Sequence, residues 1–83
     1  MATYEQKQVI NRIRSIAVSG HMSEAVREGQ ECIIYDCQVR VNSYHQTVIV
    51  WILRDGTYKA FCHASSADVK AQVEKIVEDA LKA

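Results

Sequence analysis

The feature that most constrains this chain is the segment YHQTVIVWILRDGTYKAFCH, residues 44–63. It holds an unbroken apolar run at residues 48–53, then Asp55-Gly56, then a second β-prone stretch. Asp-Gly between two such runs is a strong short-range hairpin signal, because both residues tolerate the positive φ that the right-handed twist of a two-residue turn demands. A turn centred on Asp55-Gly56 sets a register in which Arg54 faces Thr57, Leu53 faces Tyr58, Trp51 faces Ala60 and Ile49 faces Cys62. Alternate residues share a face. One face then carries Ile49, Trp51, Leu53, Tyr58, Ala60 and Cys62, and it is assigned to the core. The other carries Val48, Val50, Ile52, Arg54, Thr57, Lys59, Phe61 and His63.

A further strand is expected over residues 31–41. Ile33, Tyr35, Cys37, Val39 and Val41 form its apolar side, and Cys32, Ile34, Asp36, Gln38 and Arg40 its other side. Joining this apolar side to that of the hairpin requires an odd-length connection near residues 42–46, of three or five residues, and Asn-Ser as a poor two-residue turn agrees with this. The strands are thus expected at 31–41, 47–54 and 57–63.

Helices are expected at both ends. Thr3 and Gln6 have the spacing of a capping box, and Val9, Ile10, Ile13, Ile16 and Ala17 recur at helical period, giving a helix over residues 3–18. Residues 23–28 read as a short second helix or a bent continuation, with Gly29 as its left-handed cap. At the other end Ser65-Ser66 offers an N-cap and Asp68 suits the positive end of the helix dipole. Val69, Val73, Ile76, Val77 and Ala80 make the buried stripe. The fold class is therefore α+β: a single small domain, residues 1–83, in α-β-β-β-α order. Its three-stranded antiparallel meander has the helices packed on one face.

That order is similar to the order in double-stranded-RNA-binding domains and in the small Alu-binding proteins of the signal recognition particle. The double-stranded-RNA domains carry a lysine-rich cluster at the start of their last helix, where this chain reads SSADVKAQVEKIVEDAL with Lys70 alone in the first turns. It also lacks their glycine-proline-histidine loop. The resemblance implies RNA binding as an alternative function and assigns no residue.

Function enters mainly through exclusion. Ten basic residues balance ten acidic ones, so a strongly basic nucleic-acid binder is not indicated. There is no phosphate loop, Walker pattern or paired-carboxylate motif. His21, His45 and His63 are far apart in sequence. No apolar run is long enough to span a membrane, and the opening MATYEQKQV has no signal-peptide core. The expectation is a cytoplasmic protein with three reduced cysteines. In a continuous strand Cys32 and Cys37 point to opposite faces, as do Cys62 and His63, so a tetrahedral metal site would need a bulge between Cys32 and Cys37. Cys37 and Cys62 are expected to be buried, and Cys32 to be the most reactive thiol. No catalytic group, metal or cofactor is assigned.

The outer sheet face is where a partner is expected. Ile34, Val48, Val50, Ile52 and Phe61 would lie together there, rimmed by Arg40, Arg54, Lys59 and His63. A sheet with one solvated face should be polar on it, and contiguous apolar surface of this kind marks interaction sites. The alternative is that the segment between Gly20 and Gly29 folds over the patch. The function expected is a non-enzymatic interaction module, forming a homodimer or acting as a small adaptor or inhibitor on a larger protein. Nucleic-acid binding on the same basic-rimmed face is the second choice.

Overall fold

The computed structural model describes residues 2–82, and among them the element order is α-β-β-β-β-α. Helix α1 spans Tyr4–Arg14, strands β1 to β4 span Ala17–Arg27, Gln30–Val41, Tyr44–Leu53 and Tyr58–His63, and helix α2 spans Ala67–Leu81. The strands form one antiparallel sheet in the order β1-β2-β3-β4. The α+β class holds, with four strands in place of three.

Both helices begin as their sequences dictate. The Gln6 backbone N–H donates to Thr3 Oγ1 at 3.1 Å, and the Thr3 N–H donates to Gln6 Oε1 at 2.9 Å, completing the capping box. Ser66 caps α2 by accepting from the Val69 N–H at 3.2 Å. Val9, Ile10 and Ile13 of α1 and Val73, Val77 and Leu81 of α2 are buried against one side of the sheet. Gln6 is buried too, and its Nε2 donates to the Ile52 carbonyl at 3.0 Å, tying α1 to β3. Helix α1 stops at Arg14 rather than 18, and Ile16 and Ala17 lead into β1 while still packing on the core.

Of the segment expected to be helical at residues 23–28, residues 23–27 belong to β1. Glu28 and Gly29, at φ 53° and 76°, form the two-residue turn that joins it to β2. The competing influence is tertiary: Glu24, Ala25 and Arg27 favour a helix locally, but the stretch is too short to hold one by propensity, and pairing along β2 overrides it. Gly20 shows the fit. A Cβ there would sit 2.5 Å from Tyr35 Cζ and closer still to the Tyr35 hydroxyl, so only glycine lets the buried ring lie across β1.

The largest correction concerns β3. Val41 pairs with Tyr44, so Asn42-Ser43 does form a two-residue turn, with φ of 50° and 74°. At the other end the loop is three residues long. The Leu53 N–H donates to the Thr57 carbonyl at 2.8 Å and the Gly56 N–H to the Leu53 carbonyl at 2.9 Å, with Gly56 at φ 89°. This is a turn followed by a left-handed glycine. Each connection differs by an odd number of residues from the expected one, and an odd slip reverses a strand. Ile52 therefore faces Tyr58, Val50 faces Ala60 and Val48 faces Cys62. Val48, Val50 and Ile52 are each 0% exposed beneath the helices, not on the outer face. The run at residues 48–53 is apolar on both sides, so its pattern carries no register information, and turn geometry alone decides.

Candidate interaction face

The sheet side opposite the helices is built by alternate residues of all four strands. The ladder places Ile34 beside Trp51, Asp36 beside Ile49 and Cys32 beside Leu53. It also places Trp51 beside Lys59, Ile49 beside Phe61 and Thr47 beside His63. Ile34, Ile49, Trp51 and Leu53 are half-buried, and Phe61 is 38% exposed. Segment 17–27 lies at the edge of the sheet as β1 and leaves this face open.

At the centre, the Trp51 and Phe61 rings are 4.6 Å apart between centroids and tilted by 54°. That diagonal cross-strand contact is of a kind that stabilises by ~0.5–1.5 kcal/mol beyond area burial. The Arg27 guanidinium carbon lies 5.7 Å from the Trp51 ring centre, within cation–π range. Lys59 Nζ pairs with Glu28 at 2.8 and 3.0 Å. Both partners of that pair are exposed, and such pairs add little stability. The rim thus carries Arg27, Arg40 and Lys59 against Asp36 and Glu28.

Of the residues expected on this face, Ile34, Arg40, Lys59, Phe61 and His63 lie there. Val48, Val50 and Ile52 do not. Arg54 sits in the β3–β4 turn, where its carbonyl accepts from Thr3 Oγ1 at 2.7 Å and its guanidinium lies 3.5 Å from Glu31. Sequence reading omitted Ile49, Trp51, Leu53 and Arg27. The Asn42-Ser43 pair was the signal that could have supplied the first three, since asparagine readily takes positive φ.

The thiols follow the ladder. Cys37, Val48 and Cys62 form one row across the helix-covered side. Burial, then the charges of Asp36 and Cys62, push the Cys37 thiol up to about 11. Cys62 is half-buried, and burial followed by Glu74 raises its pKa as well. Cys32 is only 3% exposed, against the expectation that it would be the most reactive, because Ala25 and Leu53 flank it in the ladder. Among the described residues no three His, Cys, Asp or Glu side chains are grouped to hold a metal ion. No described helix is long and apolar enough to cross a membrane.

No protein-family model matches the chain, and neither comparison with curated proteins nor comparison with solved structures returns a match.

Proposed function

We propose that the protein is a non-catalytic interaction module that docks on a larger protein through the bare sheet face. One observation supports this reading above the others: Ile34, Ile49, Trp51, Leu53 and Phe61 share the side of the sheet that no described helix covers. A solvated antiparallel face is ordinarily polar, and a contiguous apolar one gains from being covered at ~25 cal/mol per Å² of apolar area, before association costs. The aromatic pair at its centre is the kind of rigid anchor that dominates interface energetics. The rim carries three cations, Arg27, Arg40 and Lys59, against two carboxylates, so a second copy would bring a like net charge to it. A partner with an apolar centre and an acidic rim complements the face better.

The test is site-specific cross-linking. A photoreactive phenylalanine analogue replaces Phe61 in one sample and Glu74, exposed on α2, in another. A discrete cross-link from position 61, absent from position 74 and lost with Ile49→Lys, is the expected result. Equal cross-linking from both positions, or none from 61, would count against the reading.

Nucleic-acid binding is the second reading, and the partly exposed aromatic pair with Arg27 and Lys59 beside it is what favours it. It ranks lower because Arg27 and Phe61 already occupy Trp51 and the chain has no net charge. Quenching of Trp51 fluorescence by single-stranded oligonucleotides, with a log–log salt slope on the order of −2 for three phosphate contacts, would promote it. Unchanged fluorescence at low salt would remove it.

A further inference from the structure

The sheet has two open edges, and they are built differently. β4 is a six-residue strand carrying Lys59 and His63. Short length and an edge lysine are both recognised guards against strand addition. β1 is eleven residues long, has no proline or lysine, and carries Glu24 as its only acid. Its one irregularity is a bulge near Val18.

The backbone of β1 is set up for a further strand. The Glu28-Gly29 turn closes on the Arg27–Gln30 pair, which exchanges ladder hydrogen bonds as the pair flanking a two-residue turn does. Counting back by twos, Ala25, Ser23 and His21 bond to β2. The alternate residues Val26, Glu24, Met22 and Gly20 direct their N–H and C=O groups at the open edge. Their side chains lie on the helix side of the sheet, at the margin of the layer formed by α1. Val18, Met22 and Val26 are 51%, 43% and 61% exposed, three of the large apolar residues left uncovered by the fold.

The pattern of this edge is symmetric about Met22, with Val18 and Val26 four residues to either side. We infer that β1 pairs antiparallel with β1 of a second copy across a two-fold axis at Met22, making one eight-stranded sheet. In that register Met22 meets Met22 of the second copy and Glu24 meets its Gly20, and Val26 comes opposite the bulge at Val18. Shifting the axis to Glu24 would oppose two carboxylates, and shifting it to Ser23 would set Met22 against Glu24. Of these three registers, only the Met22-centred one matches apolar with apolar and leaves no like charges face to face. Beside it runs a cleft of about 390 Å³ between α1 and β1, with Ile10, Met22 and Ile33 in its lining, which can take the methionine of the second copy. The interface is separate from the bare face and extends it across both copies.

Light scattering on the full chain from micromolar to millimolar concentration tests this. The wild type is expected at twice the chain mass, and Met22→Pro at the single-chain mass with unchanged far-UV circular dichroism. Proline there removes only an N–H aimed outward. Met22→Lys, at a position already exposed, provides the same result if the proline variant does not fold. Met22→Cys is expected to form an intermolecular disulfide readily, because the Cα atoms of a hydrogen-bonded antiparallel pair are ~5.5 Å apart, within disulfide reach. Glu24→Cys, opposite a glycine, should not. A wild type that stays monomeric throughout, or a dimer that survives Met22→Lys, overturns the proposal. Cross-linking by Glu24→Cys as fast as by Met22→Cys overturns the register. Ile49→Lys leaves this dimer intact, so loss of the bare-face partner and loss of the dimer are distinguishable.

Discussion

Strand β3 offers two sets of neighbouring residues with nearly the same chemistry and opposite fates. Val48, Val50 and Ile52 are wholly buried under the helices, while Ile49, Trp51 and Leu53 are half-buried on the open side. Hydrophobicity does not distinguish them, since the second set is if anything the larger. What separates them is the number of residues in each flanking turn. The helices find a smooth floor of β-branched side chains, and the bulky residues are left for the other side. An apolar set that a domain of this size does not use internally is the physical basis for reading the open side as a docking surface.

The sharpest way to break this comparison is to place the same charge on each set. Val50→Glu would bury a carboxylate with no partner, a cost of about 4–5 kcal/mol, comparable with the whole stability of a domain this small. Circular dichroism and thermal melting should show it largely unfolded. Ile49→Glu should fold, losing no more than about 1 kcal/mol, and should lose association instead. If the two variants behave in reverse, β3 has the other register.

A smaller difference is expected one strand away. Gly20 lies on the covered side over Tyr35, and its neighbour Ser19 points to the open side. Gly20→Ala must displace a buried ring and should cost about 1–3 kcal/mol in denaturant unfolding, whereas Ser19→Ala should change little.

The thiols sharpen the comparison further. Because the folded pKa of Cys37 is raised to about 11, its contribution to stability is fully present below the unfolded thiol value near 9. It is lost as pH rises towards about 11, by at most roughly 3 kcal/mol for a shift of this size. Unfolding measured across that alkaline range should slope less steeply in Cys37→Ala than in the wild type. At neutral pH, alkylation followed by mass spectrometry should modify Cys62 first, with Cys37 and Cys32 protected.

Much of this was legible in the residues. The capping box at Thr3 and Gln6, the Ser66 cap and the stripe residues Val9, Ile10, Ile13, Val73 and Val77 follow from local rules and are where the sequence places them, while Ile16 and Ala17 fall beyond the end of α1. The alternation of β2 was equally clear, because polar residues mark its second side. Strand β1 was not legible: no apolar alternation distinguishes it, and its place depends on a partner strand distant from any local signal. The faces of β3 were hidden for a different reason. Both are apolar, and the decision rests on Asn42-Ser43 closing in two residues and Arg54-Asp55-Gly56 in three. The location of the candidate face therefore survived while half of its membership changed, with Trp51 the most consequential arrival.

Trp51 is the only tryptophan, which makes it a direct reporter of which β3 face is open. Acrylamide quenching of its fluorescence in the dilute, unpartnered protein is the measurement that bears most on the account. Quenching between that of a free and a buried indole is predicted, rising when Arg27→Ala uncovers the ring. A blue-shifted emission that acrylamide scarcely quenches, unmoved by Arg27→Ala, would place Trp51 under the helices and contradict the register on which the proposed face depends.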